Sequence, residues 1–350
     1  MQNVTGKPEL MKKMNLTLVY RALIEMQSAT RAEITDKTKI STTTVRTLLE
    51  ELLQSGEIIE LQLDESSGGR RAQRYSLNLK KNLLLALYVE DNTITYQISD
   101  LIGNIVKAGT KTADTNDLSL SVPDFISSCL KKYRLCAVGL GVPGIVENKH
   151  YYVGEGLNLW FTNDLGEQIQ NEFHIPVVLE NDMNALALGF AMHYAKQNND
   201  CHLNSINMAY IHFNICGTGA GIIADGKIIH GIKHFAGELG FLPILPEKNV
   251  DQVLREAKNE KEFAENIARL TAIVNCVTNP ALIVIGGKLI QTGKVSLDTI
   301  KTFAQSYISD IVFPEIIFSN NYSTDYLSGL THLTTETIIP RLPFTNSAEE

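Results

Sequence analysis

The stretch INMAYIHFNICGTGAGIIADGKII, residues 206–229, carries most of the information about the fold. Ile206–Asn214 alternates as a strand, Cys216-Gly-Thr-Gly-Ala-Gly reads as a glycine-rich turn, and Gly221–Ala224 and Lys227–Ile229 flank a hairpin turn at Asp225-Gly226. The same rhythm occurs upstream. Leu83–Val89, Ile94–Ser99 and Ile105–Lys107 alternate as three strands, with turn residues at Asp91-Asn92 and Gly103-Asn104. Each meander is followed by further apolar strands. After the first, Leu135–Leu140 runs into Gly141-Val-Pro-Gly, and Pro176–Leu179 runs into Glu180-Asn-Asp and a helix from Met183 to about Lys196. After the second, a helical region over about 250–277 leads to Ala281–Ile285 and Gly286-Gly287. Two β-rich halves with crossover helices and glycine loops facing one cleft predict an α/β fold with duplicated halves.

The first 78 residues read differently. Val19, Ala22, Leu23 and Met26 share one helical face. Thr30-Arg-Ala-Glu33 is a capping box opening a second helix, and Ser41 is a good cap for a third, which buries Val45, Leu48, Leu49 and Leu52 and stops near Gly56. On its other face Thr42, Thr43, Thr44, Arg46 and Thr47 crowd the helix start, as suits a helix whose first turns enter the major groove. Two β-like stretches, 57–63 and 74–77, flank a tip containing Gly69, Arg70 and Arg71, a wing for phosphates or the minor groove. A protein-interaction module with a solvated polar face fits the same helices, but three arginines and no acid between Ser66 and Asn78 favour DNA.

Charge agrees with that division. The net charge is −8, yet residues 1–78 hold 11 Lys and Arg against 10 Asp and Glu, and residues 79–350 hold 20 against 29. Electrostatic attraction acts over about 10 Å, so the local balance counts more than the total. Five dispersed cysteines (Cys129, Cys136, Cys201, Cys216, Cys276) argue against a disulfide framework or a zinc knuckle. With no signal-peptide pattern and no long apolar run, the expected location is the cytoplasm, away from membranes.

Four segments in one order resemble the ROK family of bacterial repressors and sugar kinases: Gly139-Leu-Gly-Val-Pro-Gly; Asn158-Leu with Val177-Val-Leu-Glu-Asn-Asp-Met-Asn-Ala; Gly217-Thr-Gly-Ala-Gly with Gly237-Glu-Leu-Gly; and Asn279-Pro-Ala-Leu-Ile-Val-Ile-Gly-Gly. The resemblance implies a winged helix-turn-helix over 1–78 and an actin-like, RNase-H-like, two-lobed ROK domain over 79–350. It also implies a sugar or sugar-phosphate ligand at Asn158, Asn181, Asp182 and Glu238, with Asp182 matching the general base of the kinases. Asn181-Asp182 equally suit capping of the helix from Met183.

Two departures shape the functional expectation. Where family kinases carry Asp-x-Gly-x-Thr, this chain reads Val89-Glu-Asp-Asn-Thr-Ile-Thr, with acids where phosphate oxygens lie and no glycine for close backbone approach. Where the family has Gly-Glu-x-Gly-His and a zinc-binding cysteine cluster, it reads Gly237-Glu-Leu-Gly-Phe241 and then has no Cys or His until Cys276. Gly217-Thr-Gly alone survives as a phosphate loop. The expectation is a DNA-binding repressor of carbohydrate genes, a homodimer or homotetramer on an operator, with no metal, cofactor or catalysis. Its rivals are a sugar kinase that also binds DNA and a DNA-binding protein whose ROK domain is a ligand-free dimerisation scaffold.

Overall fold

In the computed structural model, residues 8–62, 72–113, 118–154, 159–198, 201–214, 217–291 and 295–340 are described. The chain starts with α1 (Pro8–Met26), β1 (Ser28–Thr30), α2 (Arg31–Thr38), α3 (Thr42–Gln54), β2 (Ile58–Glu60) and β3 (Arg74–Leu77). The predicted caps form. The Thr30 amide donates to Glu33 Oε2 at 2.7 Å and the Glu33 amide to Thr30 Oγ1 at 3.3 Å, while the Thr44 amide donates to Ser41 Oγ at 3.2 Å. Leu16, Val19, Tyr20 and Leu23 of α1 bury against Ile34 of α2 and Val45, Leu48, Leu49 and Leu52 of α3. β3 lies between β1 and β2 in an antiparallel sheet, completing a winged helix whose tip, with Gly69, Arg70 and Arg71, lies outside the described residues.

Two five-stranded sheets follow. The first half holds β4 (Leu83–Glu90), β5 (Thr93–Asp100) and β6 (Ile105–Thr112), then α4 (Leu118–Leu130), β7 (Leu135–Val142) and a separate antiparallel sheet of β8 (Ile145–Glu147), β9 (His150–Gly154) and β10 (Trp160–Asn163). α5 (Leu165–Phe173), β11 (Val177–Asn181) and α6 (Asp182–Gln197) complete that half. The second has β12 (Met208–Asn214), β13 (Gly217–Ala224), β14 (Lys227–Ile228), a small β15 (Pro243–Leu245) and β16 (Lys248–Asn249), α7 (Val250–Glu256) and α8 (Glu260–Thr278). β17 (Leu282–Gly286), α9 (Lys288–Gln291), α10 (Leu297–Ala304), β18 (Glu315–Phe318) and α11 (Tyr322–Ile338) end the described chain.

The sheet orders are β11-β7-β4-β5-β6 and β14-β13-β12-β17-β18. In each, three strands pair antiparallel in sequence and two more add in parallel beside the first of them. The duplication read from rhythm is therefore a duplication of topology.

Two expectations need correction. Gly217-Thr-Gly-Ala-Gly is not a turn but the first half of β13. Its glycines serve packing, since a Cβ at Gly221 would lie 2.1 Å from the Met183 carbonyl and one at Gly219 would lie 2.9 Å from Met183 Cγ. The helical region 250–277 is two helices, because Asn259 accepts the Glu262 amide and starts α8 anew.

Two features tie the parts together. α6 and α11 cross with their backbones nearly touching: a Cβ at Gly189 would lie 1.7 Å from the Asp325 carbonyl oxygen, and one at Gly329 would lie 1.9 Å from that of Ala185. Beside the winged helix, buried Glu57 accepts from Tyr20 Oη at 3.0 Å and Asn82 Nδ2 at 2.5 Å and pairs with Lys81 at 2.7 Å. The segment around Asn78 is thus pinned to the winged helix, and Asn78 Nδ2 also donates to the Gly56 carbonyl. Leu84, Leu101, Ala137, Ile338 and Ile339 share one apolar core with α1 and α3, and Arg21 of α1 pairs with Glu336 of α11 at 2.8 Å.

Candidate functional site

The outward face of α3 is as expected: Thr42, Thr43, Arg46 and Thr47 are exposed, while Thr44 is half-buried against Ser41 at 2.9 Å. Arg46 pairs with Glu50 one turn on, at 2.8 Å. Both groups are exposed, and such surface pairs contribute at most about 1 kcal/mol, so the guanidinium is free to exchange partners. A groove of about 1140 Å³ runs beside the start of α3, bordered by Arg31, Lys39, Thr42, Gln73 and Tyr75.

A cavity of about 470 Å³ opens between the two sheets. Asp182, at the first turn of α6, and Glu238 both line it, although they are far apart in sequence. The turn carrying Glu238 is clipped to β13 by the Ala220 amide, which donates to the Gly237 carbonyl at 2.8 Å. Asn181 does not line the cavity. Its Oδ1 accepts the Met183 and Asn184 amides at 2.9 and 3.1 Å, and its Nδ2 donates to the Gly144 carbonyl at 2.8 Å. Its amide is spent on capping α6, which corrects the expected ligand contact. Asn158 lies outside the described residues.

Trp160, His212, Phe241, Asp251, Arg255 and Tyr322 are among the cavity residues that escaped the sequence reading as ligand contacts. Phe241, noted only as a missing histidine, stacks on Trp160 with centroids 5.8 Å apart and makes one wall. His212, only 6% exposed, lies 4.8 Å ring to ring from Tyr322. The retrievable signal was the placement of Trp160 and Phe241 in the segments that also carry the cleft carboxylates.

The two segments that the resemblance assigns to phosphate have partners within the chain. Asp91 and Asn92 both have positive φ (47° and 57°) in a two-residue turn between β4 and β5. Lys288 of the other half clamps that turn, 2.9 Å from Glu90 and 2.8 Å from Asp91. At the surviving glycine segment, Asp251 Oδ1 accepts the Thr218 amide at 2.9 Å, so a carboxylate already holds that backbone donor. Among the described residues no group of three or more His, Cys, Asp or Glu is arranged to hold a metal ion.

Burial, with Glu238 and Glu90 close by, pushes the Asp182 carboxyl up to about 7, against an opposing bond from the Met183 amide. Burial and then Asp251 raise Glu238, and burial lowers His212 to about 4, leaving its imidazole neutral at pH 7. An acid whose folded pKa exceeds its unfolded value stabilises the fold at low pH. Its contribution is full below about 4 and is lost as pH rises through about 7. Asp182→Asn should therefore flatten the decline in Tm between pH 5 and 8 relative to the parent chain. Parallel Tm profiles would overturn this assignment.

Residues 91–251 match the model of the ROK family. This segment, a little under half of the chain, is similar to the ROK family. The xylose repressor of Bacillus subtilis (strain 168) is 27% identical over 241 residues, 67% of this chain and 61% of that protein. The DNA-binding transcriptional dual regulator NagC of Escherichia coli (strain K12) is 27% identical over 253 residues, 69% and 60% of the two chains. The matched region thus spans about three-fifths of these curated relatives. In fold, a solved ROK family transcriptional regulator, a homologue of the E. coli MLC protein, superposes with a TM-score of 0.74 at 18% identity, covering 95% of this chain and 98% of its own. A ROK family glucokinase from Streptomyces griseus, solved with glucose and AMPPNP, gives a TM-score of 0.57 at 19% identity and covers 73% of this chain. The two-lobed fold is shared with the kinase, and the fold of nearly the whole chain with the regulator. Among the described residues no helix is long and apolar enough to cross a membrane.

Proposed function

We propose that the chain is a sequence-specific DNA-binding regulator, a repressor of carbohydrate genes, with residues 1–78 as its DNA-binding domain. Its ROK domain, residues 79–350, takes a small polyol in the cleft and transfers no phosphate. The observation that carries this reading is the exposed Thr42, Thr43, Arg46 and Thr47 face, presented by a winged helix that packs directly onto a two-lobed domain with a polar cavity. The repressor relatives favour it, and the Asp251 carboxylate on the Thr218 amide and the Lys288 clamp on the Glu90-Asp91 turn weigh against a kinase.

α11 supplies a physical route from ligand to DNA. Tyr322 in its first turn lines the cavity, whereas Ile338 and Ile339 at its far end lie in the core of the winged helix. A shift of α11 on ligand binding would re-aim the recognition helices of a homodimer or homotetramer against half-sites spaced by a helical turn, about 34–36 Å, or its multiples. Coupling of about 1–3 kcal/mol changes operator affinity by about 5- to 150-fold, and the operator must weaken ligand binding by the same factor.

The test is selection of bound sequences from a random duplex pool, followed by titration of the best site. Arg46→Ala should weaken that site by about 1–3 kcal/mol and relax preference at one base position. Arg70→Ala should weaken all sequences alike and reduce the salt slope. A double variant that retains parental affinity for the selected site would refute the assigned DNA face.

A further inference from the structure

The polar wall of the cavity is unbalanced in two ways. The first is charge: Asp182, Glu238 and Asp251 line it, and Glu90 stands close enough to act on Asp182 and His212. Of the cations nearby, Lys288 is engaged by Glu90 and Asp91, and Arg255 lies exposed with its Nε on the Asp251 backbone carbonyl at 3.2 Å. Asp182 and Glu238 therefore face the same space with no cationic side chain among the described residues bonded to either. Without a counter-charge such a pair holds on to protons, as the raised Asp182 and Glu238 carboxyls show, and an arriving cation would let both ionise.

The second imbalance is in hydrogen bonding. Ionised carboxylates only accept, and a neutral imidazole has one accepting nitrogen. His212 is more than nine-tenths buried against the cavity and its Nδ1 has no partner among the described residues. The Thr218 amide, a donor that could offset this, is already taken by Asp251. A hydroxyl can donate once, whereas an ammonium offers up to three donors and a positive charge. The stacked Trp160 and Phe241 rings add a surface that attracts cations.

We infer that the ligand of this cavity is an aminated polyol, such as an amino sugar with a free amine, whose ammonium group is shared by Asp182 and Glu238. This rests on the reading of the cavity as a polyol site and narrows it to a charged class. The amine neutralises the paired carboxylates, supplies donors to a wall of acceptors, and lies against the aromatic face. An N-acetylated sugar loses the charge and brings a carbonyl acceptor to a wall already rich in acceptors.

Trp160 is the only tryptophan of the chain, so its fluorescence reports directly on the cavity. The full chain is titrated at pH 6.5 with glucose, glucosamine and N-acetylglucosamine, and with the matching galactose and mannose series. In at least one series the free amine should bind about ten-fold or more tightly than both its neutral counterparts. Asp182→Asn and Glu238→Gln, which keep shape, should each erase that preference while a parental far-UV circular dichroism spectrum and a single cooperative melt confirm folding. A neutral or acetylated sugar that binds as tightly as its amine overturns this inference alone. Failure of every sugar to bind overturns it together with the polyol reading.

Discussion

Glu57→Ala is expected to lower unfolding free energy by about 3–5 kcal/mol, the usual cost of removing one partner from a buried ion pair. Glu57 is 1% exposed and answers three groups at once, the Lys81 ammonium, Tyr20 Oη and Asn82 Nδ2. Alanine leaves a cation that is only 11% exposed, together with a buried phenol and an amide that lose their acceptor. Tyr20 shows how closely the groups are coupled, since burial and the adjacent carboxylate both hold its phenol well above the ordinary tyrosine range. Glu57→Gln, which keeps an acceptor but removes the charge, should fall between parent and alanine. Urea unfolding followed by circular dichroism measures all three. A loss below 1 kcal/mol for alanine would mean that water or rearrangement replaces the carboxylate.

The second large effect is expected at the helix crossing. Gly189→Val places a branched side chain where a Cβ would already lie 1.7 Å from the Asp325 carbonyl oxygen and 2.8 Å from the Gly329 amide nitrogen. Both obstacles are backbone, so no rotamer change relieves them and α6 must move away from α11. Overpacking usually costs about 1–3 kcal/mol, and a clash with backbone belongs at or beyond the upper end. The helices carry the contacts between the lobes, Tyr88 stacking on Tyr326 at 4.4 Å and His193 bonding Asp325 at 2.6 Å, so separation should also blunt the response to ligand. Gly103→Ala is the control: its φ of +87° strains alanine, but nothing lies within 4 Å of the added Cβ. Equal melting temperatures for Gly189→Val and the parent would overturn the steric account.

The legibility of these features in the sequence follows the range of the physics involved. Caps act within four residues, so Thr30, Glu33 and Ser41 announced α2 and α3 correctly. Apolar alternation over 83–99 and 206–214 gave the central strands for the same reason. Glycine was harder. Gly219 and Gly221 look like turn residues, but the need they meet is set by Met183 on another element. α11, Tyr-Ser-Thr-Asp-Tyr-Leu-Ser-Gly-Leu-Thr-His-Leu-Thr-Thr-Glu-Thr-Ile, holds too many threonines and serines for local preference to announce a helix. Packing on α6 and both sheets compensates for that composition. At the cleft, Asp182 and Glu238 were legible only through the family resemblance of the segments that hold them. Asp251 and Arg255 were not, because only the fold returns α7 to the glycines of β13.

The core shared by α1, α3 and the last turn of α11 bears on how such chains can change over generations. Five apolar side chains from beyond residue 78 contribute to it, Leu84, Leu101, Ala137, Ile338 and Ile339. At roughly 1.5–3 kcal/mol for each fully buried side chain, this seam is worth on the order of 10 kcal/mol, comparable to the stability of a whole domain. A gene fusion that replaced only the first 78 codons would set a foreign apolar face against these five residues and expose much of that surface to water. Inherited as a cassette, the winged helix would arrive without part of its own interior. Successful exchange would have to bring compensating changes in the final turn of the last described helix, so that turn and the winged helix are expected to co-vary more closely than either does with the cavity.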